Sequence, residues 1–213
     1  MVLMTTFHFP IPGVRIEDFT YNLPEQKIAR YPLAVRHDSK LLRYRDGKVS
    51  DHIFLDLPSL LPRDSLLVFN NTKVVPARLF FRKETGALIE VFCLEPASPK
   101  EYILAFSQYA SSTWYCAVGN AKKWKTGHLP LYNPHNDPKL ASLGLSASLL
   151  GQEADRFLVR FSWTASLPFS AILEASGRVP IPPYLKRESE DCDLERYQTI
   201  YARKRGSVAA PTA

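Results

Sequence analysis

Glycine is scarce in this sequence, and the glycines that occur are widely spaced. Only 9 of the 213 residues are glycine, and no two of them lie closer together than seven positions. A dinucleotide-binding turn or a Walker A phosphate loop needs several glycines within a few residues, because the backbone must approach phosphate closely. The GxSxG nucleophile motif is also missing. These absences argue against Rossmann enzymes, P-loop NTPases and α/β-hydrolases.

Patterns for disulfides, metal sites and membrane segments are missing as well. The three cysteines (Cys93, Cys116 and Cys192) form no CxxC pair, and the five histidines show no HxxxH spacing. The apolar start, MVLMTTFHFPIPG, is too short to span a bilayer and lacks the basic region of a signal peptide. We therefore expect no structural metal, no membrane association, and a reduced, cytoplasmic setting.

The charge balance is mildly basic. Lys and Arg number 27 against 21 Asp and Glu, which gives a net charge of +6 and a pI near 9.2. This balance is compatible with an anionic partner such as RNA. Many enzymes without a nucleic-acid substrate are equally basic, so charge alone leaves the question open.

The central part of the chain has a different sequence pattern from the two parts that flank it. Short β-rich runs (VVPARLFF, ALIEVFCL, YILAF, TWYCAV and RFLVRFSW) follow one another between about Val74 and Trp163. Such spacing predicts a small antiparallel barrel or sandwich. The flanks mix helix and strand patterns, which is typical of one domain inserted into another. We predict an α/β host made of residues 1–72 and 165–213, incomplete here, with an inserted antiparallel β-barrel domain at residues 73–164.

Local signals predict several elements of the flanks. Asp46-Gly47 predicts a hairpin, and DLPSLL a short helical turn. DSLLVFN predicts a buried strand that ends at Asn70. Pro24 and Pro32 delimit one short helix, and SLPFSAILEASG predicts a helix that Gly177 caps. The prolines of RVPIPPYLKR require extended chain, and DLERYQTIYARK (residues 193–204) is the last predicted helix, with no strand after it.

Three stretches of the flanks carry polar residues that can bind a ligand. In VFNNTKVVPARL (residues 68–79), Asn70 and Thr72 end a strand and Arg78 lies in an apolar context; they can equally be turn residues and an ion-pair partner. In VPIPPYLKR (residues 179–187), Tyr184, Lys186 and Arg187 suit base stacking and phosphate contact, or form a solvated loop. In ERYQTIYA (residues 195–202), helical spacing places Glu195, Gln198 and Thr199 on one face, unless its tyrosines simply pack in the core.

Two further clusters have alternative interpretations of the same kind. Arg36, His37 and Asp38 form either an acid–base cluster or a salt-bridged loop. GNAKKWKTG (residues 119–127) places three lysines, Lys122, Lys123 and Lys125, around Trp124. This basic aromatic tip is suited to RNA-backbone contact, and also to being a soluble hairpin turn.

Taken in order, these stretches resemble one family. DFTYNLPEQKIARYPL, RHDSKLL, DLPSLLPRDSLLVFNNTKVVPARL, VPIPPYLKR, DLERYQTIYA and GSVAAPTA are similar to motifs of the S-adenosylmethionine:tRNA ribosyltransferase-isomerases of queuosine biosynthesis. The resemblance covers about residues 18–213. It implies an α/β barrel-like host with an inserted β-barrel. It also implies transfer of the S-adenosylmethionine ribosyl group to 7-aminomethyl-7-deazaguanine at the tRNA wobble position. The transferred sugar rearranges to give epoxyqueuosine.

The resemblance also implies roles for the candidate residues. Catalysis needs a base beside the sulfonium, for which we expect Glu195 or Asp38. Ribose or purine contacts are expected from Asn70, Thr72, Tyr184 and Gln198. Contacts to the methionine carboxylate or to tRNA phosphates are expected from Arg78, Lys186, Arg187 and Arg196. Thr212 is a further substrate-binding candidate, and Lys122, Lys123 and Lys125 are expected to bind tRNA.

S-adenosylmethionine enters this reaction as a substrate, and the resemblance implies no metal. In the family the AAPTA motif continues into a further stretch, whereas this sequence ends at Ala213. We therefore expect a fragment that is inactive alone and exposes apolar surface. The full-length protein is expected to be a monomer. A non-catalytic tRNA-binding module is the alternative function.

Overall fold

Short β-strands make up most of the regular structure in the computed structural model, which describes residues 13–207. The strands of this range are β1 (Lys40–Arg45), β2 (Lys48–Ile53), β3 (Thr72–Val74), β4 (Arg78–Arg82), β5 (Leu88–Ser98), β6 (Ser111–Gly119), β7 (His128–Pro130), β8 (Ser146–Glu153), β9 (Arg156–Ser162) and β10 (Lys204–Ser207). The α-helices are α1 (Leu57–Leu60), α2 (Tyr102–Phe106), α3 (Pro138–Ser142), α4 (Phe169–Ser176) and α5 (Asp193–Arg196). Single 3-10 turns occupy Ile16–Phe19, Glu25–Lys27, Arg36–Asp38, Phe54–Asp56, Ala121–Lys123 and Pro183–Leu185. No helix among these residues is long and apolar enough to cross a membrane.

Six strands form one antiparallel sheet that nearly closes into a barrel. Their order is β4-β5-β6-β9-β8-β7. The two edges approach each other just after β7, where Phe81 forms a bridge with Leu131 and the Tyr132 amide donates to the Phe80 carbonyl at 2.8 Å. Near-closure leaves few unpaired edge groups. The predicted small antiparallel β-barrel is therefore confirmed.

The barrel interior is filled by alternate residues of each strand. On β5 the side chains of Ile89, Val91 and Cys93 are fully buried, while the residues between them are partly exposed. This period of two places one face of each strand in the core. Helix α4 closes one side of the interior with Phe169, whose ring lies 5.6 Å from Trp114, centroid to centroid. These contacts create the hydrophobic core of the molecule.

The run YILAF is a helix and not the strand that its composition predicts. Within α2, Ala105 and Phe106 are buried and Tyr102 packs on the core, whereas Ile103 is 79% exposed. Inward positions spaced three and four residues apart belong to a helix. The prediction was wrong because five apolar residues do not separate a period of 2 from one of 3.6.

The hairpin predicted at Asp46-Gly47 is confirmed. Arg45 pairs with Lys48, and both turn residues have positive φ, 51° at Asp46 and 76° at Gly47. A two-residue turn between twisted antiparallel strands requires this conformation, and Asp-Gly adopts it readily. The predicted helical turn in DLPSLL is also confirmed, as α1.

The buried strand predicted at residues 64–70 is wrong. Residues 64–71 form no strand, and the side chains of Leu66 and Val68 are 88% and 83% exposed. An apolar run becomes a buried strand only when a sheet neighbour and a covering layer are present. Residues 13–207 provide neither for this segment.

The last predicted helix is shorter than expected, and a strand follows it. Helix α5 ends at Arg196, and β10 then pairs in parallel with β3, Lys204 opposite Thr72. The helix predicted between Pro24 and Pro32 is a single 3-10 turn, Glu25–Lys27. The proline-rich segment is extended as predicted, apart from the 3-10 turn Pro183–Leu185.

The start of β4 and the end of α4 are joined through the backbone. Arg78 and Arg178 exchange hydrogen bonds of 3.3 and 2.8 Å. Gly177 caps α4, as predicted, with its amide donating to the Leu173 carbonyl at 2.7 Å. Its φ of −87° is ordinary, but a Cβ atom there would lie 1.7 Å from the Pro76 carbonyl oxygen. Glycine is therefore required for close approach and not for its backbone conformation.

We expect Gly177→Ala to destabilise the protein by about 1–3 kcal/mol or more, the usual cost of overpacking, because backbone atoms cannot move aside as a flexible side chain can. Urea denaturation gives the change in the free energy of unfolding. Gly151→Ala is the matched control, since a Cβ atom at Gly151 meets nothing within 4 Å. Equal stability of the two variants would contradict this account of the junction.

Candidate active site

Two segments far apart in sequence lie against each other on the side of the barrel where β3 and β10 pair. Arg36 donates from Nη1 to the Gln198 carbonyl at 2.6 Å. In return, Arg196 donates to the carbonyls of Ala34, at 3.3 Å, and Leu33. These reciprocal contacts connect the loop around Asp38 to the end of α5. The two candidate bases, Asp38 and Glu195, are therefore on neighbouring segments.

Arg36 serves as the cap for the C-terminal end of α5. Its Nη2 atom lies 3.3 Å from the Arg196 carbonyl and 3.5 Å from that of Glu195. The last carbonyls of a helix lack partners within it, and a cation there also complements the helix dipole. In the same turn His37 and Asp38 form a loose, exposed pair, with Nε2 and Oδ1 3.8 Å apart.

Arg187 and Asp193 form a bidentate ion pair that holds the segment before α5. Both N–O distances are 2.7 Å, and the two side chains are only 10% and 4% exposed. Arg187 also donates from Nε to the Arg30 carbonyl at 2.8 Å and stacks 4.4 Å from the Tyr31 ring centroid. The hydrogen bond from Arg187 lowers the pKa of the Asp193 carboxyl below its usual value. In this arrangement Arg187 organises the site from within the protein.

Gln198 bridges to the backbone of β3 with both ends of its amide. Its Oε1 accepts from the Val74 amide and its Nε2 donates to the Val74 carbonyl, each at 2.8 Å. Val74 is buried, so these two backbone groups would otherwise lack partners. The Gln198 side chain thus makes the hydrogen bonds to β3 that a neighbouring strand would otherwise make.

The remaining substrate-binding candidates occupy different surroundings. Asn70 Oδ1 accepts from the Thr72 amide at 3.0 Å and from its hydroxyl at 2.7 Å, which is an Asx turn. Arg78 Nε lies 3.1 Å from Glu90 Oε1, an ion-pair distance without hydrogen-bond alignment. Its guanidinium carbon is 5.7 Å from the centroid of a phenylalanine ring on β5.

Two further candidates, Tyr184 and Lys186, lie in the proline-rich segment. Tyr184 is 63% exposed, and Lys186 is paired with Glu25. That pairing lowers the pKa of the Glu25 carboxyl, first through the hydrogen bond from the ammonium group. Thr212 lies outside the described residues.

A pocket of about 570 Å³ opens at the end of α5, and we call it the junction pocket. Its lining consists of Arg36, Lys73, Leu194, Glu195, Arg196, Gln198, Thr199, Ile200 and Ala202. Five residues that the sequence singled out (Arg36, Glu195, Arg196, Gln198 and Thr199) are thus brought together. The other candidates do not line this pocket. Helical spacing does not explain the grouping, since α5 ends before Gln198.

The junction pocket is mainly cationic. Arg36, Lys73 and Arg196 contribute positive charge against the single carboxylate of Glu195. The Thr199 hydroxyl oxygen is buried there without a hydrogen-bond partner. Such a lining can hold a ligand that has both an anionic group and a neutral polar group. Lys73 was not among the predicted residues, although strand alternation beside the buried Val74 predicts that its side chain points away from the core.

The lysine turn (residues 119–127) lies at the far end of the barrel. Lys122, Lys123 and Lys125 are exposed there. Trp124 is only 1% exposed, and its Nε1 donates to the Gly127 carbonyl at 3.3 Å. Trp124 is therefore a core residue that anchors the turn, and its ring is not the exposed tip that its lysine neighbours suggest. The three lysines stay candidates for tRNA contact.

No group of three or more His, Cys, Asp or Glu side chains within residues 13–207 is placed to hold a metal ion. The barrel, the junction pocket and the lysine turn together describe a β-rich protein with two cationic surfaces. The chain is matched over residues 16–213 by the model of the family described as queuosine biosynthesis protein. It therefore belongs to this family.

Several curated relatives carry the name S-adenosylmethionine:tRNA ribosyltransferase-isomerase. The protein of Trichlorobacter lovleyi is 38% identical over 201 residues, which is 93% of this chain and 52% of the relative. The protein of Aquifex aeolicus is 38% identical over 208 residues, 94% of this chain and 53% of the relative. The protein of Nitrosococcus oceani is 37% identical over 204 residues. The chain thus spans about half the length of the curated relatives that it matches.

We expect Asp193→Asn to lower the free energy of unfolding by about 3 kcal/mol at pH 7, because the buried guanidinium of Arg187 loses its charge partner. The folded-state pKa of Asp193 is depressed, so its contribution is fully present above the unfolded pKa, near 3.8, and is lost as the pH falls through the folded value.

Urea denaturation between pH 7 and pH 3 measures the difference. The exposed neighbour Asp191, changed to Asn, is the control. A difference between wild type and Asp193→Asn that stays constant down to pH 3 would rule out the ion pair as its source.

We expect Gln198→Leu to cost about 1–3 kcal/mol, because both Val74 backbone groups are left without partners in a buried position. Thermal unfolding followed by circular dichroism measures the loss. Gln26→Leu, in the exposed 3-10 turn Glu25–Lys27, is the matched control. If the two variants unfold at the same temperature, the bridge to β3 contributes nothing to stability.

Proposed function

We propose that this chain forms part of an S-adenosylmethionine:tRNA ribosyltransferase-isomerase. The observation that carries the proposal is the family match over residues 16–213, together with relatives of that name at up to 38% identity. The proposed substrates are S-adenosylmethionine and a tRNA with 7-aminomethyl-7-deazaguanine at the wobble position. The proposed product is epoxyqueuosine-tRNA, with release of adenine and methionine.

The junction pocket has the residue types that this reaction needs. The sulfonium of S-adenosylmethionine acidifies its neighbouring C5′ hydrogens, so a carboxylate base can remove one of them. We assign this role to Glu195, which lines the pocket, with Asp38 on the adjoining turn as the other candidate. The cations of the pocket, Lys73 and Arg196 among them, are suited to the methionine carboxylate.

The other candidates differ in how their polar groups are used within the protein. Arg187, Gln198 and Asn70 already bond through their polar atoms to other parts of the chain. We propose that they position the site. Tyr184 is exposed and remains available for ribose or purine, and we propose direct substrate contact for it. The proposal keeps Arg78, Lys186, Thr72 and Thr212 as further binding residues.

We also propose the inserted-domain arrangement, with the barrel (residues 73–164) inserted into an α/β host (residues 1–72 and 165–213). Two contacts support it. The backbone pair of Arg78 and Arg178 brings the two ends of the barrel segment together, and the β3–β10 pair joins the flanks.

Many apolar side chains of the host are exposed in this chain, including Ile16, Leu66 and Val68 at 82%, 88% and 83%. The relatives are about twice as long. We propose that further host structure of the kind found in the rest of their length covers this surface. The complete enzyme is proposed to be a cytoplasmic monomer that needs no metal.

A non-catalytic tRNA-binding module is the second candidate function. The three exposed lysines of the lysine turn favour it, because they form no ion pair with any described residue. Isothermal titration with S-adenosylmethionine separates the two functions. Saturable binding supports the enzyme, whereas a full-length family member that binds none would leave only the module.

For the enzyme, we expect Glu195→Gln in a full-length family member that carries this residue to lower kcat by about 10²–10⁴-fold, the usual contribution of a general base. Binding of S-adenosylmethionine should change little, because the side chain keeps its size. Glu84→Gln, on the far hairpin of the barrel, is the control. Full turnover by both Glu195→Gln and Arg78→Ala would show that the assigned site is wrong.

A further inference from the structure

A second pocket, of about 660 Å³, lies beside the lysine turn, and we call it the barrel-end pocket. Its walls are mostly apolar and include Trp124, Leu149, Leu150 and Phe157. Lys122 and Lys125 line it as well. The volume is within the range of about 300–1,000 Å³ that is typical of ligand pockets.

The backbone that carries the lysines beside this pocket is fixed by local hydrogen bonds. The Lys123 amide donates to the Asn120 carbonyl at 2.8 Å, and the Trp124 amide donates to that of Ala121 at 2.9 Å. Asn120 adopts the left-handed conformation, with φ 58°, and its side chain donates to the Leu88 carbonyl at 3.1 Å. With Trp124 buried at its centre, the turn presents its ammonium groups from a rigid base.

A β-bulge shapes the opposite wall. The register of β8 against β9 shifts between Leu149 and Gly151, and the extra residue, Leu150, is left 45% exposed. Bulges redirect side chains and are common next to binding sites. Leu150 follows the inward-facing Leu149, so it points away from the barrel core and lines the pocket.

The charge at this end of the barrel is complementary to a polyanion. Lys122, Lys123 and Lys125 have no carboxylate partner among the described residues, and Lys83 lies close by, with its ammonium group donating to the Lys123 carbonyl at 2.8 Å. Cations beside an apolar cleft are the combination by which proteins bind single-stranded nucleic acid. The bases pack on apolar or aromatic side chains, and the cations follow the phosphates.

We propose that the barrel-end pocket takes an unpaired nucleobase of the tRNA, with Lys122 and Lys125 on its flanking phosphates. This rests on the proposed function, which makes tRNA the substrate. The pocket is separate from the junction pocket, because β4 leads from Arg78, at the host, to Arg82, near the lysine turn. That is four residue steps, or about 13 Å. The barrel therefore holds the tRNA at a second point, away from the reacting base.

Substitutions at Gly151 test this proposal directly, because Gly151 lines the pocket. A Cβ atom added at this position has no other atom within 4 Å, so a larger side chain can be introduced without a clash at its Cβ. We expect Gly151→Phe to fill the pocket and weaken binding of a fluorescein-labelled tRNA transcript by about 10-fold, which corresponds to one lost base contact. Gly151→Ala leaves the pocket open and should bind as wild type does. Fluorescence anisotropy with this chain measures both dissociation constants, and circular dichroism verifies folding.

If Gly151→Phe does not fold, Leu150→Asp tests the same wall against Leu150→Ala. A carboxylate there should repel the phosphates and weaken binding by a similar factor. The double change Lys122→Gln/Lys125→Gln should reduce the slope of log K against log salt by about 1–2, as expected for two lost phosphate contacts. Lys100→Gln, at the opposite end of β5, is the matched lysine control.

Competition identifies the ligand. A 12-nucleotide single-stranded RNA should displace the labelled tRNA, and a blunt RNA duplex should not, because its bases are stacked. Displacement by the duplex with equal potency, or unchanged binding by both Gly151→Phe and Leu150→Asp, would overturn the base pocket. Binding of S-adenosylmethionine, measured on the same variants, reports on the proposed function separately, since a variant of the barrel-end pocket should not alter it.

Discussion

The contact of Gly177 with the Pro76 carbonyl is the constraint on which the rest of the structure depends. It joins the segment just before β4 to the C-terminal end of α4, and it leaves no space for even a methyl group. Because the two backbones meet this closely, Arg78 and Arg178 can exchange hydrogen bonds and β3 comes within reach of Gln198. The position of the junction pocket is therefore determined by backbone geometry, and the side chains that line it supply its charge and polar groups.

Local chemistry made part of the fold predictable. Asp46-Gly47, the cap at Gly177 and the alternation of β5 are each determined by neighbouring residues, so the sequence is sufficient to find them. YILAF and the run at residues 64–70 were not predictable in this way. Their state depends on whether a sheet neighbour is present, which is a property of distant parts of the chain.

The residue types of the candidate site could be predicted from the sequence, but the contacts that these residues make within the protein could not. Arg36, Arg187 and Gln198 have the functional groups of ligand-binding residues, and their partners in the structure are carbonyls, a carboxylate and a backbone strand. Contacts such as that of Arg36 with Gln198 join positions 162 residues apart. No local pattern reports such a pairing. The burial of Trp124 was missed for a different reason, because its polar neighbours suggest a surface position.

The parallel pairing of β3 with β10 has a consequence for the order of folding. The two strands are separated by the whole barrel, and closing a loop of that length costs conformational entropy before any contact compensates for it. Once the barrel has formed, its ends are already adjacent at Arg78 and Arg178, so the remaining closure is short. Formation of the barrel therefore shortens the loop that β3 and β10 must close.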